Sequence, residues 1–231
     1  MSYLTYNGKM VQSNHKFVIS ISPPLPLLID MDGNVYTTVT IGTQEWMVEN
    51  LRTITYADSS PISNITNNVS WTTDTIGAYC WYDNSIGYKD SYGALYNWKA
   101  ISNAHGLISG QFKLGAVPST GWRLPTAVDM STLSTFIGGD TTGGGKLKTT
   151  SNAYWQFTGG TDDYGFNARG GGRREFDTGA FNALKIFGQW FQERIGLYDT
   201  IFYMNYSYND LIRDSEINNG SGNSIRCLRD V

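Results

Sequence analysis

After Gly143-Gly144-Gly145 no strong helical pattern returns. Residues 150–231 are rich in Gly, Asn, Ser and aromatic residues, with short alternating runs such as Ile201 to Tyr208 and Ser224 to Leu228. A stretch of this kind cannot contribute to a helical bundle. It is predicted to form short strands joined by long ordered loops. Aromatic residues are 14% of the chain and charged residues 16%, against roughly a quarter charged in an ordinary domain. Such a chain is too apolar to be disordered. Its net charge of -3 offers no concentration of Lys and Arg for phosphates, so nucleic acid is not an expected partner. No apolar run approaches a membrane span, and no membrane insertion is expected.

The 231 residues make one large domain, or a domain with a small appendage. Residues 1–28 read as that appendage. Tyr6-Asn7-Gly8-Lys9 is an Asn-Gly hairpin signal, the run Lys16 to Ser20 is a third extended piece, and Pro23-Pro24-Leu25-Pro26 reads as a stiff spacer. So small a β unit cannot be stable alone. It is expected to pack on the main domain or to serve docking or oligomerisation. Residues 1–10 lack the basic region and apolar core of a secretory signal. The chain is therefore expected to be cytoplasmic at synthesis or exported inside a particle.

Residues 29–231 read as one α+β domain. Ile29 to Trp46 alternates about an Asp-Gly turn at Asp32-Gly33, as a hairpin does. Two helices are predicted, over Tyr92 to Ala104 and over Thr126 to Ile137. The second has Thr126 as N-cap, Asp129 in a capping-box position and Gly138-Gly139 as its stop. The glycine run at 143–145 reads as a flexible turn.

Catalytic and metal patterns are thin. The only histidines are His15 and His105, read as surface or capping residues. No H-E-x-x-H, G-x-S-x-G or phosphate-loop spacing occurs. Asp30, Asp32 and Asn34 mimic the start of a calcium loop, but the twelfth position is Ile41, which favours a hairpin turn. Cys80 and Cys227 have no evident activating partner; two buried thiols are favoured over a disulfide. No enzyme, cofactor or metal is expected. What stands out is the aromatic carboxyl-terminal third. In Phe202 to Tyr208 both alternating faces carry rings or polar groups, so one set of rings is expected to be exposed. Rings interleaved with Asn, Ser and Asp suit a contact surface, though a core-filling strand pair gives the same pattern.

Several segments occur in a recognisable order: Asp32-Gly33-Asn34-Val35-Tyr36, Trp46-Met47-Val48-Glu49-Asn50-Leu51-Arg52, Gly77 to Tyr82, Tyr92 to Trp98, Gly121-Trp122-Arg123-Leu124-Pro125-Thr126, Gly143 to Lys148, Gly165-Phe166-Asn167-Ala168 and Arg226-Cys227-Leu228-Arg229-Asp230. Together they resemble the Fibrobacter succinogenes major paralogous domain over about residues 29–231. The resemblance implies a C-type-lectin-like fold of the formylglycine-generating-enzyme type: two helices on twisted antiparallel sheets, long ordered loops and adjacent chain ends. It also places Trp46, Trp81, Trp98 and Trp122 in the core.

The resemblance extends to the variable proteins of diversity-generating retroelements, which carry ligand-binding residues near the carboxyl terminus. It implies a non-enzymatic receptor-binding protein of a phage tail, located in the virion. The expected partners are a host cell-surface protein or glycan, other tail or fibre proteins through residues 1–28, and further copies of the chain, a trimer by analogy. A bacterial surface or pilus-associated adhesin is the alternative. Where the family often reads Gly-aromatic-Trp-Trp-Ser-Ser-Thr, this chain has Gly188 to Arg194, as a diversified segment would. Adenine-directed mutation of Asn codons reaches Phe, Tyr, Arg and Asp, among others, but not Gln, Glu, Lys, Met or Trp. The variable region is expected at about 165–231. Its candidate ligand-binding residues are Phe176, Phe187, Gln189, Phe191, Arg194, Tyr198, Phe202, Tyr203, Tyr206, Tyr208, Asp210 and Asp214.

Overall fold

The computed structural model describes residues 4–6, 9–11, 27–115, 117–157, 159–216 and 220–231. At the amino end β1 (Leu4–Tyr6) and β2 (Lys9–Val11) pair antiparallel, with Tyr6 opposite Lys9. The Asn7-Gly8 turn, the run 16–20 and the Pro23–Pro26 spacer lie outside the described residues.

Next, β3 (Leu28–Ile29) and β4 (Val35–Tyr36) form a hairpin. Asp30 organises its turn by accepting the Asp32 and Asn34 N–H groups at 3.0 and 2.9 Å. A second hairpin, β5 (Thr38–Ile41) and β6 (Gln44–Met47), follows directly. The chain then runs through β7 (Ser63–Asn64), α1 (Asn68–Thr72), β8 (Ala78–Cys80), α2 (Lys89–Tyr92), β9 (Leu95–Tyr96), α3 (Trp98–Ile101), β10 (Lys113–Leu114) and β11 (Val117–Pro118). Two longer helices come next, α4 (Ala127–Ile137) and α5 (Asp140–Leu147). The remainder is β12 (Gly171–Arg174), β13 (Phe181–Leu184), β14 (Phe187–Phe191), β15 (Asp199–Asn205), β16 (Ile212–Glu216) and β17 (Leu228–Asp230). The fold is α+β, mostly sheet with short helices. Its largest sheet has the order β13-β12-β14-β15-β16, and β17 returns to pair with β6, so Leu228 lies opposite Trp46.

The helix predicted over 126–137 forms as expected. Thr126 Oγ1 accepts the Asp129 N–H at 3.0 Å, the Asp129 carboxylate accepts the Thr126 N–H at 2.9 Å, and Gly138 closes the helix at φ +92°. The helix predicted over 92–104 does not. Gly93 breaks it at φ +74°, Leu95–Tyr96 becomes strand β9, and only the single turns α2 and α3 remain. The competing pull is tertiary: Tyr96 exchanges both backbone hydrogen bonds with Asn223, each at 3.0 Å.

The glycine run is also different from expectation, being the middle of α5. Its lack of side chains is a packing requirement. A Cβ on Gly143 would collide with Ile137, one on Gly144 with the Asp210 carbonyl, and one on Gly145 would lie 2.8 Å from Asn209 Oδ1. Tertiary contact thus makes a helix from residues with poor intrinsic helix propensity.

Trp46, Trp81, Trp98 and Trp122 are all buried. Cys80 and Cys227 are separate buried thiols. Burial pushes the Cys80 thiol up to about 12 and raises that of Cys227 as well.

Candidate functional site

The β14-β15-β16 segment is fixed by its register. Phe187 pairs with Asn205, Gln189 with Tyr203, Phe191 with Ile201, and Tyr203 in turn with Ile212. β15 is central, and side chains alternate across it. Phe202 and Met204 enter a core with Trp46, Trp155, Trp190 and Leu228. Ile201 enters a second core with Trp81, Trp98, Phe191 and Trp122, against which Tyr203 packs. The expectation that one set of rings in Phe202 to Tyr208 is exposed is therefore corrected for the strand itself, which is covered on both sides; in that run Tyr208, beyond the strand, is the exposed ring. Phe202 stacks on Trp190 at 5.1 Å, Phe191 meets Trp98 edge-on at 5.6 Å, and Gln189 is buried beside them. These three candidates, Gln189, Phe191 and Phe202, form the frame and do not reach the surface.

The other candidates fall into separate places. Arg194, Tyr198 and Asp214 gather around the β14–β15 connection. This connection closes as a tight turn in which Ile195 bridges to Tyr198 and Gly196 takes φ +63°. Its base is rigid. The Glu193 N–H donates to the Pro125 carbonyl at 2.9 Å, and Arg194 Nε donates to Asp199 Oδ1 at 2.6 Å while its guanidinium lies 5.0 Å from the Trp98 ring centre. Its tip is apolar and bare: Leu197 is 80% exposed, Ile195 60% and Tyr198 45%. A cleft of about 390 Å³ lies on one side, lined by Ile195, Gln192, Thr200, Arg213, Asp214 and Ala127. A second cleft, of about 540 Å³, includes Glu193, Trp98, Ile101, Ile108 and Trp122 in its wall.

Phe187 and Tyr203 make an edge-on pair at 5.6 Å, half-buried, at the other end of the same sheet face. Burial raises the Tyr203 phenol, and the Asp214 carboxylate adds to the shift, so it stays neutral at physiological pH. Tyr206, Tyr208 and Asp210 occupy the loop after β15. There Tyr206 pairs with the exposed Phe157 at 5.7 Å, and Tyr208 is 60% exposed. Lys148 pins this loop from beneath, donating to the Asn205 and Tyr208 carbonyls at 3.0 and 2.6 Å. Burial lowers the Lys148 pKa, and Asp210 opposes that shift. Phe176 stands apart, exposed on the β12–β13 turn.

Ile195, Leu197 and Phe157 are exposed surface residues outside the candidate set. Ile195-Gly196-Leu197 does carry a signal, a glycine turn flanked by apolar corners between two aromatic strands. Phe157 lies before the region expected to vary.

Among the described residues, the cluster around His105 does not assemble a catalytic chain. His105 Nδ1 contacts the Asp58 carboxylate, and Ser60 Oγ donates to Asp58 at 2.6 Å. Those hydrogen bonds, the Ser60 side chain first, pull Asp58 down to about 2. Ser60 thus bonds to the carboxylate rather than to the imidazole, which is not the nucleophile–base–orienter order. Among the described residues no group of three or more His, Cys, Asp or Glu is placed to hold a metal ion. Nor is any helix among them long and apolar enough to cross a membrane.

The model of the Fibrobacter succinogenes major domain matches residues 39–229. No curated protein and no solved structure matches the chain.

Proposed function

The chain belongs to the Fibrobacter succinogenes major domain family, and on that footing we propose that it is a non-enzymatic receptor-binding protein presenting the 193–198 turn to a host-cell ligand. The observation that carries this reading is the turn itself. Three bare apolar side chains, Ile195, Leu197 and Tyr198, stand between two clefts on a base held by buried strands. Rigid aromatic and aliphatic anchors on a fixed frame are the economical way to make a contact surface, because little side-chain freedom is lost on binding. A frame independent of the tip also tolerates substitution there, which supports diversification of this segment by a retroelement.

The scaffold proposed is C-type-lectin-like. In support, a capped helix packs with antiparallel sheets, and the last strand pairs with β6 near the start of the matched region. The setting proposed is a phage tail, with residues 1–28 joining the chain to other tail proteins or to further copies. Many weak tips acting together would then give firm adsorption.

The test is adsorption of the labelled full chain to intact host cells. Replacing Leu197 and Tyr198 together by Ala should leave the fold intact by circular dichroism and weaken adsorption by at least about tenfold, as loss of a binding hot spot does. Unchanged adsorption would reject the turn as the binding site. A reverse transcriptase gene beside the coding sequence, with a near-repeat of its 3′ end differing at adenines, is the expected genomic mark.

A further inference from the structure

Trp190 and Phe202 share a core with Met130 and Leu133 of α4, so that face of the sheet lies under the helix. Residues two further along each strand share the same face. Gln192, one residue beyond β14, donates its N–H to the Thr200 carbonyl at 2.8 Å, and Thr200 lies opposite Ser215 of β16. Gln192, Thr200 and Ser215 thus form a polar row across three neighbouring segments of the sheet. With Ala127 at the start of α4, they line the cleft of about 390 Å³ beside the 193–198 turn.

Gln192 is the telling member of that row. It is only 4% exposed, and its side-chain amide has no hydrogen-bond partner among the described residues. A buried amide without partners is costly, so its presence in the wall of an open cleft points to a polar occupant. Thr200 Oγ1 donates to the Glu193 carbonyl, which leaves its lone pairs free to accept. Arg213, also in the wall, is tied to Ser131 Oγ at 3.1 Å and to Asp140 at 2.5 Å. With Arg213 and Asp140 matched, Asp214 is the charge left over in the wall, an exposed carboxylate. It opposes an acidic ligand, gives a solvated cation little, and accepts readily from hydroxyls. Ile195 adds an apolar side to the cleft.

We propose that this cleft holds one neutral pyranose unit of a cell-surface glycan, with the Gln192 amide reading two adjacent hydroxyls. A side-chain amide offers an acceptor and donors on neighbouring atoms, and a sugar hydroxyl both donates and accepts. Thr200, Ser215 and Asp214 continue the row of acceptors, and Ile195 packs the C–H face of the ring. A peptide suits the cleft less well. Strand-addition binding needs an open sheet edge, whereas β14 and β15 are interior strands, so the floor here presents side chains in place of a backbone ladder. This inference rests on the 193–198 turn as the contact surface and names the chemistry recognised beside it.

The full chain is titrated with glucose, galactose, mannose and N-acetylglucosamine, and in parallel with galacturonate and trialanine, each to about 100 mM, since so small a ligand binds in about the millimolar range. At least one neutral sugar should saturably shift the Gln192 side-chain amide resonances together with the amides of residues 200 and 215. Gln192→Leu removes a polar group that has no partner in the fold, so its thermal midpoint should equal or exceed the parent's while its sugar affinity falls at least tenfold. Silence of all four sugars, binding of galacturonate or trialanine alone, or full affinity in Gln192→Leu would each overturn the proposal. A lowered midpoint in Gln192→Leu would too, because it would mean that the amide serves the fold. Adsorption to host cells separates this from the reading of the turn: if Leu197 and Tyr198 prove necessary but the sugars do not bind, the turn stands and the sugar site falls.

Discussion

Asn50 shows how much one side chain carries in this molecule. Its Oδ1 accepts Trp190 Nε1 at 2.8 Å and both Arg226 bonds, while its Nδ2 donates to the Tyr92 carbonyl at 2.8 Å. Replacing Asn50 by Leu leaves the buried guanidinium without its main acceptor. Stripping a partner from a buried charge costs about 3–5 kcal/mol, so thermal melting of Asn50→Leu should show a large fall in midpoint. Asn50→Asp keeps the acceptor and adds a negative charge, so it should melt closer to the parent. The thiols make a second case. An ordinary thiol titrates near 9.0, and burial holds Cys80 at about 12. A folded pKa above the unfolded one means that the stability it confers is complete below pH 9 and is lost as pH rises toward 12. The midpoint should therefore fall over that window, and less steeply in Cys80→Ala. At pH 8 neither buried thiol should react with a disulfide reagent until the chain is unfolded.

At the scale of elements, α5 makes the least intuitive prediction. Gly→Ala inside a helix ordinarily stabilises by about 0.4–1 kcal/mol. At Gly144 the sign should reverse, because the new Cβ lies 2.6 Å from the Asp210 carbonyl carbon. Overpacking of this kind costs about 1–3 kcal/mol, so Gly144→Ala should melt earlier and show displaced amide resonances across 207–211. The same contact explains what the sequence did and did not disclose. The Thr126 box and the Gly138 stop are local chemistry, so α4 was legible. The helix of glycines was not, because its reason lies more than sixty residues away. The broken helix at 92–104 was hidden for a similar reason, its Tyr96 being claimed by Asn223. Phe202 and Phe191 were misplaced because alternation reports two faces of a strand but not whether one or both are covered. Ser224 is likewise placed by its bridge to Trp190 of β14, which spacing alone does not encode.

For the whole molecule, the ordered motifs prove to be one structure seen from several points in the chain. Asn50, Phe166 and Arg226 come from three separate motifs and meet around Trp190, while Arg123 joins Asp129 to Asp230 at 2.7 and 2.8 Å. Motif residues therefore report the frame, and the surface that would bind a ligand is built from residues outside them. That division limits how charge can act in binding. The guanidinium at the turn, Arg194, is committed inward to Asp199 and Trp98, and the exposed tip is aliphatic and aromatic. Screening shortens the reach of exposed charges from about 10 Å at 0.1 M salt to about 3 Å at 1 M but leaves apolar contact in place. Adsorption of the full chain to host cells should thus change by less than about threefold between low and high salt, where steering by exposed charges would weaken far more. A steep loss with salt would move the binding site to the cleft wall at Arg213 and Asp214, whose side chains are the charged alternative beside the same turn.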